Sequence, residues 1–352
     1  MNNHQIKTIE RKNESIKRKT IKRKTINQKI RKLRLLLIKI ALIIILIIML
    51  YLEIITKKNK INFFTFEKYK LNPVLGDIKT GTVFDPCVIE DKNGFYRMYV
   101  SWRKLGKIAV SLSPDGINWS NMQIVMGKSN SNNWAYNINR ASVIFKDGIY
   151  KMWFTGQNNK KSKIGYAFSE DGYNFTRLDN PILIPEYNYE KTNVMNPHVL
   201  YDKEEKIYKM YYAAGEFYEP DVICYATSKD GIIWEKYKNN PILIPNNNKT
   251  LLDSFKLGGC DVHKISSNYY LMFYIGYPDI DHARIFFAES KDGITNWKRS
   301  NNPIIEPTKN SFDSDACYKP SAIYNKKDKL WMLYYNGRKK SNEYIGLATY
   351  KN

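Results

Sequence analysis

Three carboxylates stand out as residues that could do chemistry: Asp85 in Phe84-Asp85-Pro86, Glu216 in the phrase AAGEFYEPD, and Asp261 in GGCDV. Cleaving a glycosidic bond needs an acid on the leaving oxygen and a base or nucleophile across the ring, about 5–10 Å apart. Asp85 is the candidate base, Glu216 the first candidate acid and Asp261 the second. Phe217 and Tyr218 beside Glu216 offer the apolar surroundings that raise a carboxyl pKa, as an acid catalyst requires. Each carboxylate also has a plainer reading. Asp85 can bond backbone amides at a strand entry, Glu216 can be an exposed loop acid or pair with Arg140, and Asp261 and Asp315 can line a channel. His198 has no second histidine at ligand spacing, so no metal is expected, and no cofactor is called for.

Acids so far apart in the chain meet only if the fold gathers them, and the sequence carries a repeat that does so. SPDGINW (113–119) returns as SEDGYNF (169–175), SKDGIIW (228–234) and SKDGITNW (290–297). The aspartates fall at 115, 171, 230 and 292, a period of 56, 59 and 62 residues. Asp-Gly between β-branched and aromatic runs marks a tight turn between strands. A four-stranded unit at such a period is the signature of a β-propeller blade. Five inner strands, CVIE (87–90), SVIF (142–145), HVLY (198–201), DVHKI (261–265) and SAIY (321–324), predict an all-β, five-bladed β-propeller. The last unit stops after its third strand, whereas FEKYKLNPVL (66–75) nearly repeats WEKYKNNPIL (234–243), an outermost strand. The N-terminal copy is therefore predicted to complete the last blade and close the ring, leaving no long open edge.

Strand direction alternates within a blade. The residue opening each innermost strand thus shares a face with the loop between the second and third strands. The first set is Asp85, Asn139, Arg140, Asn196, His198, Asp261, Asp315 and Lys319. The loops add Trp102, Arg103, Gln157, Glu216, Glu219, Asp221, Asp279, Asp281 and Arg338. Carboxylates, amides, guanidinium groups and aromatic faces converging in a concave site suit a carbohydrate, whose rings stack and whose hydroxyls take bidentate bonds.

Half of the net charge of +22 sits before this body: residues 1–56 hold 14 Lys/Arg against 3 Asp/Glu, or +11. The remainder carries +11 over 296 residues, with no concentrated nucleic-acid footprint. Residues 1–34 read as a basic arm, and the run LLLIKIALIIILIIMLYLEII (35–55) as a membrane-spanning signal anchor over 35–56. By the positive-inside rule the arm is cytoplasmic and the body extracytoplasmic. A linker (57–62) then leads to the propeller, 63–352. Four cysteines, 87, 224, 260 and 317, lack metal or redox spacing and read as buried thiols.

With its blade count, its S-x-D-G-x-x-W turns and its Asp85-Pro86, the stretch 63–352 resembles the five-bladed propellers of the arabinanase, levansucrase and invertase type. Glycoside hydrolase family 43 is the nearest well-described relative, and the family 130 mannoside phosphorylases are cousins. It is also similar to uncharacterised bacterial propellers bearing phrases like INR-x-x-V, YNGR and CDV. The family 43 resemblance implies an inverting mechanism with a base in the first blade's Asp-Pro, which Asp85-Pro86 matches. It also implies an Asp in the third blade and a Glu acid in the fourth. Here Asn196-Pro197 and Gly258-Gly259-Cys260 stand at those places, so two of three carboxylates are elsewhere and the assignment does not transfer. The leading expectation is a membrane-anchored enzyme hydrolysing a cell-surface or environmental glycan. A phosphorylase or glycosyl transferase, with Arg140, Lys319 and Arg338 as a phosphate site, is the second reading. A non-catalytic carbohydrate-binding propeller and a protein-binding scaffold remain open beside it, and the sequence does not fix the oligomeric state.

Overall fold

The computed structural model describes residues 34–49, 65–91, 93–127 and 134–351. The chain divides into two compact units, 1–63 and 64–352. In the first, residues 34–49 form a helix whose leucines and isoleucines are exposed. Among the described residues no helix is long and apolar enough to cross a membrane. The basic arm up to 33, residues 50–56 of the predicted anchor and the linker 57–62 lie outside the described residues.

The second unit is the five-bladed propeller, five four-stranded antiparallel sheets. Their innermost strands are Val83–Glu90, Asn137–Lys146, Val194–Asp202, Lys256–Ser266 and Ala316–Asn325. The fourth strand of the last blade is Glu67–Lys68, which pairs with Asn342–Lys351. The N-terminal segment closes the ring, as the duplicated phrase predicted. Lys68 then locks the closure. Its Nζ lies 2.5 Å from the fully buried Asp313, which also accepts the Tyr335 hydroxyl at 3.0 Å.

The repeated Asp-Gly turns join third to fourth strands and also hold the blades together. Within each turn the aspartate accepts backbone N–H groups two and three residues on, as Asp115 does from Ile117 and Asn118 at 2.8 Å each. The glycine carbonyl faces the preceding blade. Tyr99 donates to Gly172, Trp153 to Gly231, Tyr211 to Gly293 and Tyr334 to Gly116, at 2.7–3.0 Å. The last blade lacks such a turn, and there the preceding aromatic is Phe273, without a hydroxyl, packed edge-on against Phe66 of the closing segment. Between adjacent blades the cores are filled by the second-strand residues Met98, Met152, Met210, Met272 and Leu333, none more than 2% exposed.

One end of the axial channel is stitched by charge. Asp261 sits 3.0 Å from Nδ1 of His198 in the previous blade and 3.1 Å from Nε2 of His263, and it accepts the Ala322 N–H of the next blade. His198 Nε2 also lies 2.9 Å from the Val262 carbonyl. Burial opposes ionisation of Asp261, but the two histidines outweigh it and hold the carboxyl far below its ordinary range. A depressed carboxyl pKa contributes stability above the unfolded value, about 4 for Asp, and loses it as pH falls further. Asp261→Asn is expected to cost about 3 kcal/mol in urea unfolding at pH 7. The gap to wild type should narrow below about pH 4. An Asn variant as stable as wild type at pH 7 would remove this stitch from the account.

Candidate active site

At the axis every blade departs from a regular ladder at a bulge. In the first, Phe84 pairs with Ser101 and Cys87 with Tyr99, so Asp85 and Pro86 face a single residue. Equivalent bulges carry Arg140-Ala141, Asn196-Pro197 and Lys319-Pro320, and the fourth blade's bulge, Gly258-Gly259, is displaced by one residue, facing Ile275. Four of the five put a side-chain-bearing residue in the left-handed region: Asp85 (φ 58°), Arg140 (58°), Asn196 (53°) and Lys319 (50°). Each such residue costs about 1–3 kcal/mol and persists only where its surroundings hold it. Those surroundings are visible. The Asp85 N–H donates to Asn336 Oδ1 (2.9 Å), Arg140 N–H to Ser101 Oγ (2.9 Å) and Asn196 N–H to Thr155 Oγ1 (3.0 Å). Each anchor comes from the second strand of the preceding blade. The strained backbone turns one acid, two cations and an amide toward a common centre.

They form the floor of a pit of about 380 Å³. Its walls add Arg103, Asn139, Gln157, Phe217, Tyr218, Glu219, Tyr277, Tyr318 and Glu343. Asp85 is 2% exposed and accepts the Ser101 hydroxyl at 3.0 Å. Glu343 is engaged on both oxygens, by Arg103 at 2.7 Å and by the Tyr318 hydroxyl. Glu219 bonds to the Tyr277 hydroxyl. Burial raises its pKa, against the pull of that bond and of Arg140, Arg338 and Lys256. Lys319, 5% exposed, has its pKa lowered by burial although Asp85 works the other way. Among the described residues neither Lys319 nor Arg140 has a carboxylate within 4 Å; Arg140 reaches Met195 Sδ at 3.6 Å. Asn196 Oδ1 is buried without a hydrogen-bond partner. The pit thus offers unspent donors and acceptors, two cations with no carboxylate partner among the described residues, and three carboxyls in different surroundings.

Eight of the residues picked out by sequence line this pit: Asp85, Arg103, Asn139, Arg140, Gln157, Asn196, Glu219 and Lys319. Trp102 and Arg338 line shallower hollows beside it. Glu216 does not line it. More than half exposed, Glu216 follows Gly215 (φ 124°) and pairs with Lys191 at 2.5 Å. Asp221 is held by Lys191 (2.8 Å) and Lys256 (2.5 Å). Asp315 accepts the Lys340 N–H at 2.6 Å and lies outside the pit. His198 and Asp261 line a separate cavity of about 260 Å³. Strand-opening order groups them with Asp85, but they follow the bulge, after which the strand has turned away.

Glu219 was in view but passed over for Glu216, three residues earlier; nothing local distinguishes them until Pro220 and Tyr277 are placed. Glu343, Tyr277 and Tyr318 were missed, although all sit at strand ends on the face the alternation rule selects. Blade four has no room for an acid at Gly259, where a Cβ would come within 2.8 Å of the Asn196 Cβ. Among the described residues no group of three or more His, Cys, Asp or Glu is arranged to hold a metal ion.

The description "Glycosyl hydrolases family 32 N-terminal domain" matches residues 109–241. A 1,2-beta-oligomannan phosphorylase of Thermoanaerobacter sp. (strain X514) is 32% identical over 185 residues, 52% of this chain. The alignment spans about half, 55%, of that relative's length. A solved structure from work on mannoside phosphorylases of family GH130, containing hydrolases that target beta-1,2 mannosidic linkages in Candida mannan, superposes with a TM-score of 0.66. It is 17% identical and covers 83% of this chain and 95% of that one. A thermostable family-43 glycoside hydrolase superposes at 0.63, with 18% identity over 78% and 91% of the two chains. The chain carries the five-bladed propeller fold of the family 43 and family 130 glycoside hydrolases and phosphorylases.

Proposed function

We propose that the chain hydrolyses glycosidic bonds in the pit, Glu219 protonating the leaving oxygen and Asp85 activating the attacking water. Glu219 takes the part that sequence reasoning gave to Glu216. One observation carries the reading: a half-buried carboxyl with a raised pKa shares the cavity with a second carboxyl that accepts a hydroxyl bond from Ser101. Unlike surroundings for two acids in one cavity are how a fold separates an acid from a base. Arg103, Asn139, Gln157 and Asn196 bind sugar hydroxyls, and Phe217 and Tyr218 offer ring faces. The names of the relatives make β-1,2-linked mannosides the first substrates to test.

A specific observation favours a second reading. Arg140 and Lys319 stand in the pit without an anionic partner among the described residues, and inorganic phosphate would satisfy both. Phosphate would then replace water as the acceptor, with Glu219 still the acid.

The experiment is to incubate the full chain with β-1,2-manno-oligosaccharides, with and without phosphate, and to separate free mannose from mannose 1-phosphate. Hydrolysis predicts free sugar in both conditions. Asp85→Asn and Glu219→Gln should each lower kcat by about 10²–10⁴-fold. In wild type the rate should fall as pH rises through the raised pKa of Glu219, since only its protonated form donates, and that limb should vanish in Glu219→Gln. Sugar phosphate made only when phosphate is present would replace hydrolysis with phosphorolysis. Retained binding without turnover in wild type would leave a carbohydrate-binding propeller.

We also propose that residues 35–56 anchor the protein in a membrane, with the arm cytoplasmic and the propeller outside. Support comes from the apolar run, interrupted only by Lys39 and Glu53, and from the basic residues before it. The full chain should stay in the membrane pellet after an alkaline carbonate wash. Release into the supernatant would contradict the anchor.

A further inference from the structure

Two further hollows adjoin the pit on different sides. One, of about 170 Å³, lies between the first and second blades and shares Arg103, Asn139 and Gln157 with it. The other, of about 310 Å³, lies toward the fourth and fifth blades and shares Glu219, Tyr277 and Glu343. Arg103, Asn139 and Gln157 line both the pit and the first hollow, and Tyr218, Glu219, Tyr277, Tyr318 and Glu343 both the pit and the second, as dividers between successive sugar rings would. Each outer hollow also carries an aromatic surface. Trp102 in the first is fixed by its indole N–H, which donates to the Thr80 carbonyl at 2.9 Å. Tyr218 in the second is 67% exposed and braced by Phe217, ring centroids 5.3 Å apart. Tyr218, facing solvent, is a loss in water unless something stacks on it, whereas Trp102 is partly buried against the core and presents the rest of its surface to the hollow.

We infer that the mouth of the propeller binds an internal stretch of a linear glycan, at least three consecutive sugars long, with the central one in the pit and its neighbours on Trp102 and Tyr218. This rests on the carbohydrate reading of the pit and adds to it the substrate's form: a chain lying across the site, extending past the cleaved bond in both directions. A pit made for a terminal sugar would need a wall on one side. Here Arg103 and Glu343, joined at 2.7 Å, each line the pit and one of the two hollows.

The test is binding of fluorescently end-labelled β-1,2-manno-oligosaccharides of two to six units to the full chain bearing Asp85→Asn, which slows turnover. Affinity should rise about tenfold or more from the disaccharide to the tetrasaccharide and then level off. Trp102→Ala and Tyr218→Ala, each added singly, should each cut the tetrasaccharide-to-disaccharide affinity ratio several-fold. Equal affinity for all lengths, or a ratio unmoved by either substitution, overturns the internal-chain inference while the pit remains a sugar site. No binding at any length overturns the carbohydrate reading and this inference with it.

Discussion

The structure depends on a backbone constraint met at the axis: residues with side chains held at positive φ by hydrogen bonds from the neighbouring blade. A regular strand would send the side chains of Asp85, Arg140, Asn196 and Lys319 out of the faces of their sheets, toward the neighbouring blades. The two-against-one bulge turns them inward, and the N–H bonds to Asn336, Ser101 and Thr155 keep three of them there. The Ser101 hydroxyl does two jobs, accepting from Arg140 N–H and donating to the Asp85 carboxylate. Position and electrostatics of the pit floor are thus set by the same contacts that join the blades.

Blade four breaks the pattern and so shifts the chemistry. Its bulge is made by two glycines, and Asn196 fills the space a side chain would need at Gly259. An acid cannot rise from the floor there. A carboxyl reaches the pit instead from the third blade's loop, where Tyr277 of blade four bonds Glu219. A loop carboxyl in place of a strand carboxyl is compatible with this fold, on which many reactions are hosted.

The ring was legible in the sequence because its locks are local and repeated. Ser-x-Asp-Gly fixes a turn by bonds within four residues, and the Tyr, Trp or Phe after each second-strand Met or Leu follows the presence or absence of such a turn in the next blade. The duplicated FEKYK phrase revealed the closure because an outer strand needs a third strand to pair with, and the last unit had one to spare. The floor of the pit was legible for a similar reason, since Asp85-Pro86, Asn196-Pro197 and Lys319-Pro320 are bulge sequences. The acid was not. Glu216 and Glu219 differ only in which way Gly215 and Pro220 direct the loop, and that depends on Lys191 and Tyr277, distant in the chain. Asp261 was misplaced because it follows its blade's bulge, beyond which it meets the histidines of the other cavity.

The most direct measurement is a crystal structure of the full chain bearing Glu219→Gln with β-1,2-mannotriose bound. The account predicts a sugar ring in the pit, with its glycosidic oxygen in hydrogen-bond reach of residue 219 and Asp85 on the opposite face of the ring. A sugar seated in the cavity of His198 and Asp261, or in the pit with Asp85 and residue 219 on the same side of the ring, would contradict it.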